Sequence, residues 1–332
     1  MHAPDGFLNA GTALATGAVS ASTIGLALRQ AKHHLKEKQV PLAGLAAAFV
    51  FAAQMFNFPV AAGTTGHLLG GALAAVLLGP HVGAIVVSIV VVAQALVFAD
   101  GGLTALGYNV LNMAIVPAFG GYAVYLLFRK VLPANPTGVV GATAIAGGLS
   151  VVMSAAAFSI EWLFGATAPV PFDTVFGAMV GVHLLIGIGE GLISGMVAGA
   201  VMASRPDLVY GAADVARSAT LAVERVPLRT FAIAGTLAAL VLAVVVSQFA
   251  FDAPDGLGSV AAQTGIDRSA TEHLLGDGIL ANYATEGIGN ETLSLAVAGG
   301  SGVVITLAVA YGLFRALRAS PARSARPVSE WE

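Results

Sequence analysis

The sequence has 332 residues, 57% of them hydrophobic and 10% charged, with a formal net charge of −3 and no cysteine. Soluble domains carry about 25% charged residues, so this composition excludes an ordinary soluble protein and indicates an integral membrane protein in a lipid bilayer. The negative net charge argues against a nucleic-acid partner, and the lack of cysteine excludes disulfides, thiolate metal sites and iron–sulfur clusters.

The chain begins with Met1-His2, which offers three nitrogen donors in series: the α-amine of Met1, and the main-chain amide and imidazole of His2. Closed on one ion, these donors form two small chelate rings and fill three corners of a plane, which suits Ni(II) or Cu(II). A histidine at position two more often belongs to a solvated terminus. Here the terminus leads directly into a membrane helix, which Asp5 is placed to cap, and it lacks the basic region of a cleavable signal.

Nine apolar stretches follow, most of them near the length of about 20 residues that a bilayer-spanning helix needs. We expect helices because a spanning segment must satisfy its own backbone hydrogen bonds. The third stretch is short, so we expect it to be partly buried or broken. The predicted stretches are Leu8–Leu28, Pro41–Met55, Leu68–Leu78, Val82–Phe98, Leu106–Phe128, Val139–Phe164, Val175–Met202, Phe231–Phe249 and Leu293–Phe314.

Basic residues predict the orientation of these stretches. A basic cluster from Arg29 to Lys38 follows the first stretch and is cytoplasmic by the positive-inside rule, so the N-terminus is extracytoplasmic and the C-terminus cytoplasmic. The sequence thus predicts an all-α membrane protein with a seven-helix bundle and a two-helix C-terminal module, whose acidic loop is extracytoplasmic. The predicted units are a bundle at residues 1–204, a cytoplasmic linker at 205–228, the module at 229–316 and a basic cytoplasmic tail at 317–332.

His67 follows the turn Gly63-Thr64-Thr65-Gly66 at the start of the short third stretch. The topology places it on the same side as His2, at an exposed helix mouth. A lone histidine in such a place is more often hydrogen-bonded at the membrane interface. The open fourth corner of the Met1–His2 plane makes His67 the natural fourth ligand, and we expect it to bind the ion.

Two further groups of polar residues have two interpretations each. His183 and Glu190 lie one heptad apart on nearly the same helix face, and ionisable residues at such depth are costly; they serve either metal passage or a buried structural pair. A set of neutral polar residues near outward helix ends either orients the metal ligands or joins helices by hydrogen bonds. This set contains Gln54, Asn57, Thr65, Gln94, Asn109 and Asn112.

Four runs of residues carry a resemblance to a known family: Met1–Phe7 (MHAPDGF), Phe51–Pro59 (FAAQMFNFP), Gly66–Gly71 (GHLLGG) and Asp100–Gly107 (DGGLTALG). They closely resemble the CbiM/NikM family, the substrate-capturing membrane components of energy-coupling factor transporters for cobalt and nickel. The resemblance covers roughly residues 1–204. It implies that the N-terminal amine, His2 through main chain and side chain, and His67 hold the ion in a planar nitrogen set.

The C-terminal module resembles the small accessory subunit of these transporters, fused here to the capture domain. Pro254-Asp255-Gly256-Leu257 matches its Pro-Asp-Gly-Leu-Glu motif, with Gly258 in the place of the glutamate. The resemblance implies a transporter subunit that is not an enzyme, with a transmembrane coupling protein and two ATP-binding-cassette ATPase subunits as partners. It implies no cofactor beyond the transported Ni(II) or Co(II). The chain itself has no G-x-x-x-x-G-K-[ST] phosphate loop.

Two other functions are weighed against metal capture. An intramembrane metalloprotease would want a motif such as H-E-x-x-H, which the sequence lacks. A self-sufficient divalent-cation channel or secondary carrier would line the bundle with acidic residues, and the deep stretches hold few besides Glu161 and Glu190. The sequence leaves the choice between nickel and cobalt open.

Overall fold

The structure is a computed structural model that describes residues 1–61, 63–215 and 226–319. Part of the predicted linker, at 216–225, and most of the predicted tail, at 320–332, lie outside the described residues. The predicted all-α class is confirmed, since the described chain is helical apart from loops and one short two-stranded ribbon. In that ribbon β1 (Phe58–Pro59) pairs antiparallel with β2 (Thr65–Gly66).

The first two-thirds of the chain form a helical bundle. Its fifth crossing is continuous from α5 through a π-helix at Leu111–Gly120 into α6, and the proline in that π-helix removes one backbone donor that a regular helix would use. The bundle helices are α1 (Ala10–His34), α2 (Gln39–Gln54), α3 (Gly71–Leu78), α4 (Pro80–Val97), α5 (Leu106–Val110), α6 (Gly121–Arg129), α7 (Pro136–Gly165) and α8 (Phe172–Ser204).

The C-terminal part adds α9 (Leu228–Val244), a short α10 (Gly256–Thr264) and α11 (Glu291–Ala319). Counted over the described residues, seven helices are long and apolar enough to cross a membrane, and α2 is a shorter apolar helix. Large apolar side chains project from the bundle surface, as a lipid environment requires. They include Leu14, Leu26, Leu163, Leu184 and Leu192.

Helix α3 is the short third stretch predicted from the sequence, and all eight of its residues are buried. It packs against α4, α7 and the π-helix. The expectation that this stretch is buried is therefore confirmed. Because α3 is buried, the loop that precedes it and carries His67 is held in a fixed position within the bundle.

The predicted capping role of Asp5 is wrong. Asn9 caps α1, with its side chain accepting from the Thr12 amide at 2.9 Å. Asp5 lies four residues earlier and turns away from α1, and its carboxylate accepts from the amides of Leu103 (3.1 Å) and Thr104 (2.6 Å). The turn at Pro4-Asp5-Gly6 causes this difference, because Gly6 adopts φ +91° and redirects the chain.

The C-terminal module packs along the bundle. Both α9 and α11 pack against α2, and the segment between α9 and α11 crosses the end of the bundle that carries Met1, His67 and Asp100, here called the Met1 end. Main-chain hydrogen bonds fix this segment there, from Thr271 to Asp5 (2.9 Å), from Asn282 to Phe98 (2.7 Å) and from Phe251 to Asn57 (3.0 Å). At the opposite end Lys38 pairs with Asp207 (2.9 Å) and Arg318 with Glu37 (3.2 Å).

Helices α7 and α8 form the most extensive helix–helix contact of the bundle, and it is a close one. A Cβ on Gly148 would meet the Gly187 carbonyl oxygen at 2.8 Å, and a Cβ on Gly187 would meet the Gly148 carbonyl oxygen at 2.6 Å. Only glycine permits this approach, as is common where membrane helices pack closely. Helix α8 also carries His183 and Glu190.

We predict that Gly148→Leu destabilises the bundle, since overpacking of a tight contact costs about 1–3 kcal/mol. The measurement is the thermal unfolding midpoint in detergent. Gly181→Leu is the matched control: Gly181 lies on α8, is exposed, and has no atom within 4 Å of an added Cβ. Equal midpoints for the two variants would contradict the assignment of this contact.

Candidate metal centre

The N-terminal residues are inserted into the Met1 end of the bundle. Met1 is 5% exposed and Ala3 is 1% exposed. The side chain of Asn109 holds Ala3 from both sides: its Oδ1 accepts from the Ala3 amide at 3.0 Å, and its Nδ2 donates to the Ala3 carbonyl at 2.9 Å. With Asp5 bound to the amides of Leu103 and Thr104, the main chain that follows His2 is anchored at two points.

His67 lies next to the N-terminal amine. Its Nδ1 contacts the Leu68 carbonyl oxygen at 3.1 Å, and because a carbonyl only accepts, Nδ1 carries the proton and Nε2 carries a lone pair. That Nε2 lies 2.9 Å from the Met1 nitrogen. The expectation of an exposed helix mouth is wrong, since His67 is 7% exposed. Residues 253–256 of the C-terminal module cover it.

The spacing of these two nitrogens fits a planar metal site. Nitrogen ligands commonly bind at about 2.0–2.1 Å, so two neighbours at a right angle lie roughly 2.8–3.0 Å apart. The observed separation of Met1 N and His67 Nε2, 2.9 Å, falls in that range. No group of three or more His, Cys, Asp or Glu side chains that could hold a metal occurs in the part of the chain that the structure describes. The predicted donor set differs from such a group because two of its nitrogens belong to the main chain.

The His2 ring lies beside the ring of His67, with centroids 5.6 Å apart. Its Nδ1 is buried and has no hydrogen-bond partner, and the nearest carboxylate oxygen, Oδ1 of Asp100, is 3.8 Å away. Burial lowers the pKa of His2 to about 4, and Asp100 opposes this change. The ring is therefore neutral near pH 7 and retains a lone pair for a metal. A buried polar atom without a partner calls for an explanation, and a bound ion supplies one.

Asp255 of the module contacts the same amine. Its Oδ2 accepts a hydrogen bond from the Met1 ammonium and lies 3.5 Å from His67 Nε2, while its Oδ1 accepts from the Gly258 amide at 2.8 Å and caps α10. Burial opposes ionisation of this carboxyl, but the Met1 ammonium and His67 hold its pKa well below its usual range. The sequence analysis missed Asp255 as a site residue. Its placement before α10 signals an N-cap, but nothing in the sequence links it to Met1, 254 positions away.

The predicted neutral polar set divides by what each member contacts. Asn109 anchors Ala3, and Gln54 donates to the Leu69 carbonyl at 3.0 Å, two residues after His67. Asn112 bonds Glu161 at 2.7 Å, away from the nitrogen donors. The other three contact the module: Thr65 through Ala253 and Pro254, Gln94 through Tyr283, and Asn57 through its main-chain carbonyl and Phe251.

Tyr283 is a further residue that the sequence analysis missed. Its hydroxyl donates to Asp100 Oδ2 at 2.6 Å, so the module orients the carboxylate that faces His2. Burial and the neighbouring Asp100 raise the pKa of Tyr283 well above its ordinary value. The hydroxyl therefore stays protonated and remains a donor.

His183 and Glu190 are both fully buried, and each bonds elsewhere. Glu190 accepts from the amides of Leu69 (2.6 Å) and Gly70 (2.9 Å), at the start of α3. His183 Nδ1 contacts the Met179 carbonyl at 2.7 Å, and its Nε2 has no hydrogen-bond partner. Glu190 therefore fixes the main chain just after His67, whereas His183 is held through Nδ1 alone.

Known proteins resemble this chain over its whole length. A family described as "Cobalt uptake substrate-specific transmembrane region" matches residues 2–208, and a "PDGLE domain" matches residues 229–319. A putative fused nickel transport protein, NikMN, from Archaeoglobus fulgidus is 35% identical over 96% of this chain and 99% of its own length.

Other relatives match the bundle. A putative metal transport protein from Haloquadratum walsbyi is 41% identical and covers 63% of this chain and 94% of its own. A solved structure described as a truncated transition metal transporter superimposes with a TM-score of 0.54 at 33% identity, covering 61% of this chain and 98% of its own.

We predict that Asn109→Ala weakens binding of Ni(II) by about 10–100-fold, the usual cost of losing a residue that orients a ligand. Calorimetric titration of purified protein provides the measurement. Asn112→Ala, on the same crossing but bonded to Glu161, is the control and should stay within about threefold of the native affinity. A similar loss in both variants would show that general packing is responsible.

Proposed function

This chain belongs to the family of cobalt uptake substrate-specific transmembrane regions, and we propose that it captures Ni(II) or Co(II) for import across the membrane. The observation that carries the proposal is the 2.9 Å separation of two buried nitrogens, Met1 N and His67 Nε2. The buried, partnerless Nδ1 of His2 supports it. Relatives described as nickel and cobalt transport proteins favour the same cargo.

In the proposed complex, the ion lies in a plane of four nitrogens. These are the Met1 amine, the main-chain amide and Nδ1 of His2, and Nε2 of His67. Such ligands must lose their protons to bind, so capture releases protons from the amine and the amide. The planar set excludes large, oxygen-seeking cations such as Ca²⁺, which take six to eight oxygen ligands.

The Met1 end is the extracytoplasmic end in this proposal. Lys38 and Arg318 lie at the opposite end, with Arg29 and Lys32 near it on α1. Cytoplasmic ends of membrane helices are enriched in Lys and Arg. Energy for transport comes from other subunits, a transmembrane coupling protein and two ATP-binding-cassette ATPases, because the sequence has no phosphate loop of its own.

The C-terminal module controls access to the amine. Asp255 accepts a hydrogen bond from the Met1 nitrogen, whereas the ion needs the lone pair of that nitrogen, so the two contacts exclude each other. Thr65, the first residue of β2, binds the module through its amide, which donates to the Pro254 carbonyl at 2.9 Å. Displacement of Asp255 therefore accompanies ion binding and loosens the module segment above His67.

A one-residue extension before Met1 tests the role of the amine. We expect it to weaken Ni(II) binding by more than about 100-fold, because loss of a ligand should exceed the 10–100-fold cost of losing an outer partner. An extension after Glu332 is the matched control and should leave the affinity unchanged. His67→Ala should match the N-terminal extension. Native affinity in either variant, measured by calorimetry, would remove that nitrogen from the site and refute the proposed capture mode.

Asp255→Asn tests the competition. The asparagine keeps the cap on α10 but cannot hold the Met1 ammonium, so we expect Ni(II) to bind about tenfold more tightly, equivalent to ~1.4 kcal/mol. Asp252→Asn removes an exposed carboxylate from the same segment and should have no effect. Weaker binding in Asp255→Asn would instead make the carboxylate part of the ligand set.

A further inference from the structure

His183 has the ring geometry of His67, but its Nε2 has no hydrogen-bond partner in the described structure. In both rings Nδ1 is held by a main-chain carbonyl oxygen, Leu68 at 3.1 Å for His67 and Met179 at 2.7 Å for His183. Both carbonyls only accept, so both rings carry the proton on Nδ1 and direct a lone pair from Nε2. A second ring nitrogen fixed in this way is the usual arrangement of a metal-binding histidine.

The two histidines line one cavity. It has a volume of about 10 Å³, and Met1, Asp255 and Gly256 complete the part of its wall that faces the nitrogens. That volume is close to the minimum that a single water-sized sphere needs. The His183 side chain is fully buried, and its Nε2 makes no hydrogen bond. A buried acceptor that makes no hydrogen bond costs free energy, so its retention calls for an explanation.

The module seals this cavity from the Met1 end. A Cβ on Gly256 would meet His183 Cε1 at 2.8 Å and Nε2 at 2.9 Å. The main chain of Gly256 therefore lies directly over the free nitrogen and closes the cavity on that side. On α8, His183 is eleven residues from Phe172, about 16 Å along the helix axis, so it lies deeper than the first turns of the helix.

We propose that His183 Nε2 is a further nitrogen ligand for Ni(II) or Co(II), which receives the ion when it leaves the planar set on the way inward. The proposal rests on the capture function above. An ion in a four-nitrogen plane would have to lose several ligands at once if nothing replaced them. Because His183 Nε2 lines the same cavity, it can replace one departing ligand before the next one leaves. Imidazole is a suitable ligand for both ions.

Glu190 has a different role and competes little for the ion. Its carboxylate is engaged by the amides of Leu69 and Gly70. It lies seven residues beyond His183, about 10 Å further along the axis. The sequence left two interpretations open for these residues, a role in metal passage and a structural role. We assign metal passage to His183 and the structural role to Glu190.

The test separates capture from transfer. His183→Leu removes the nitrogen at similar volume, and Ile186→Ala, which lines the same cavity and is 3% exposed, is the matched control without a ligand. Equilibrium affinity for Ni(II) is measured on the purified chain, and uptake of radioactive nickel on cells that carry the complete transporter. We expect His183→Leu to keep the native affinity within about threefold and to lower the maximal uptake rate at least about tenfold at unchanged KM, while Ile186→Ala keeps both.

Three outcomes would overturn the proposal. These are native uptake in His183→Leu, an equal loss of uptake in Ile186→Ala, and a loss of equilibrium affinity of tenfold or more in a folded His183→Leu protein. If His183→Leu does not fold, His183→Gln repeats the test, because its amide can still donate to the Met179 carbonyl. His67→Ala distinguishes failure of the capture proposal from failure of the transfer proposal. Native affinity in His67→Ala refutes capture. Loss of binding in His67→Ala together with native uptake in His183→Leu refutes transfer alone.

Discussion

The structure depends on holding a chain terminus at a fixed point inside a membrane bundle. An α-amine is ordinarily mobile, and it becomes a useful ligand only if the main chain behind it is rigid. Asn109 bonds both polar groups of Ala3, and Asp5 is held by the Leu103 and Thr104 amides. Met1 itself is 5% exposed, and its amine lies 2.9 Å from His67 Nε2.

The Nε2 atom of His67 is also held in place by a buried carboxylate that binds main-chain amides. The loop that carries it continues into the buried helix α3, and the start of that helix is bound by the Glu190 carboxylate. Oxygen acceptors on buried side chains thus direct main-chain amides on both sides of the site. A membrane interior tolerates such a carboxylate, because two amide hydrogen bonds greatly lower the free energy of burying it.

Much of this arrangement could be predicted from the sequence, and the remainder fails for identifiable reasons. Long apolar runs define the crossings, and the Met1-His2 pair is local, so both are visible without a structure. The sequence predicts His67 from its side of the membrane, but its burial depends on residues 253–256, which are remote in sequence. Asp255 and Tyr283 were missed for the same reason, since each reaches the Met1 end through contacts about 180–250 positions apart. Asp5 was misassigned because capping arguments consider only the helix that follows.

The segment that covers His67 belongs to the same polypeptide as the bundle, through α9 and α11 packed on α2. Docking of that segment is therefore an intramolecular step, with an effective concentration that for short tethers reaches the millimolar range. A separate accessory chain would have to be made in matching amount and would leave the site uncovered whenever it dissociated. If the cover opens as proposed, its return in the fused chain proceeds at a rate that does not depend on how much protein the cell makes.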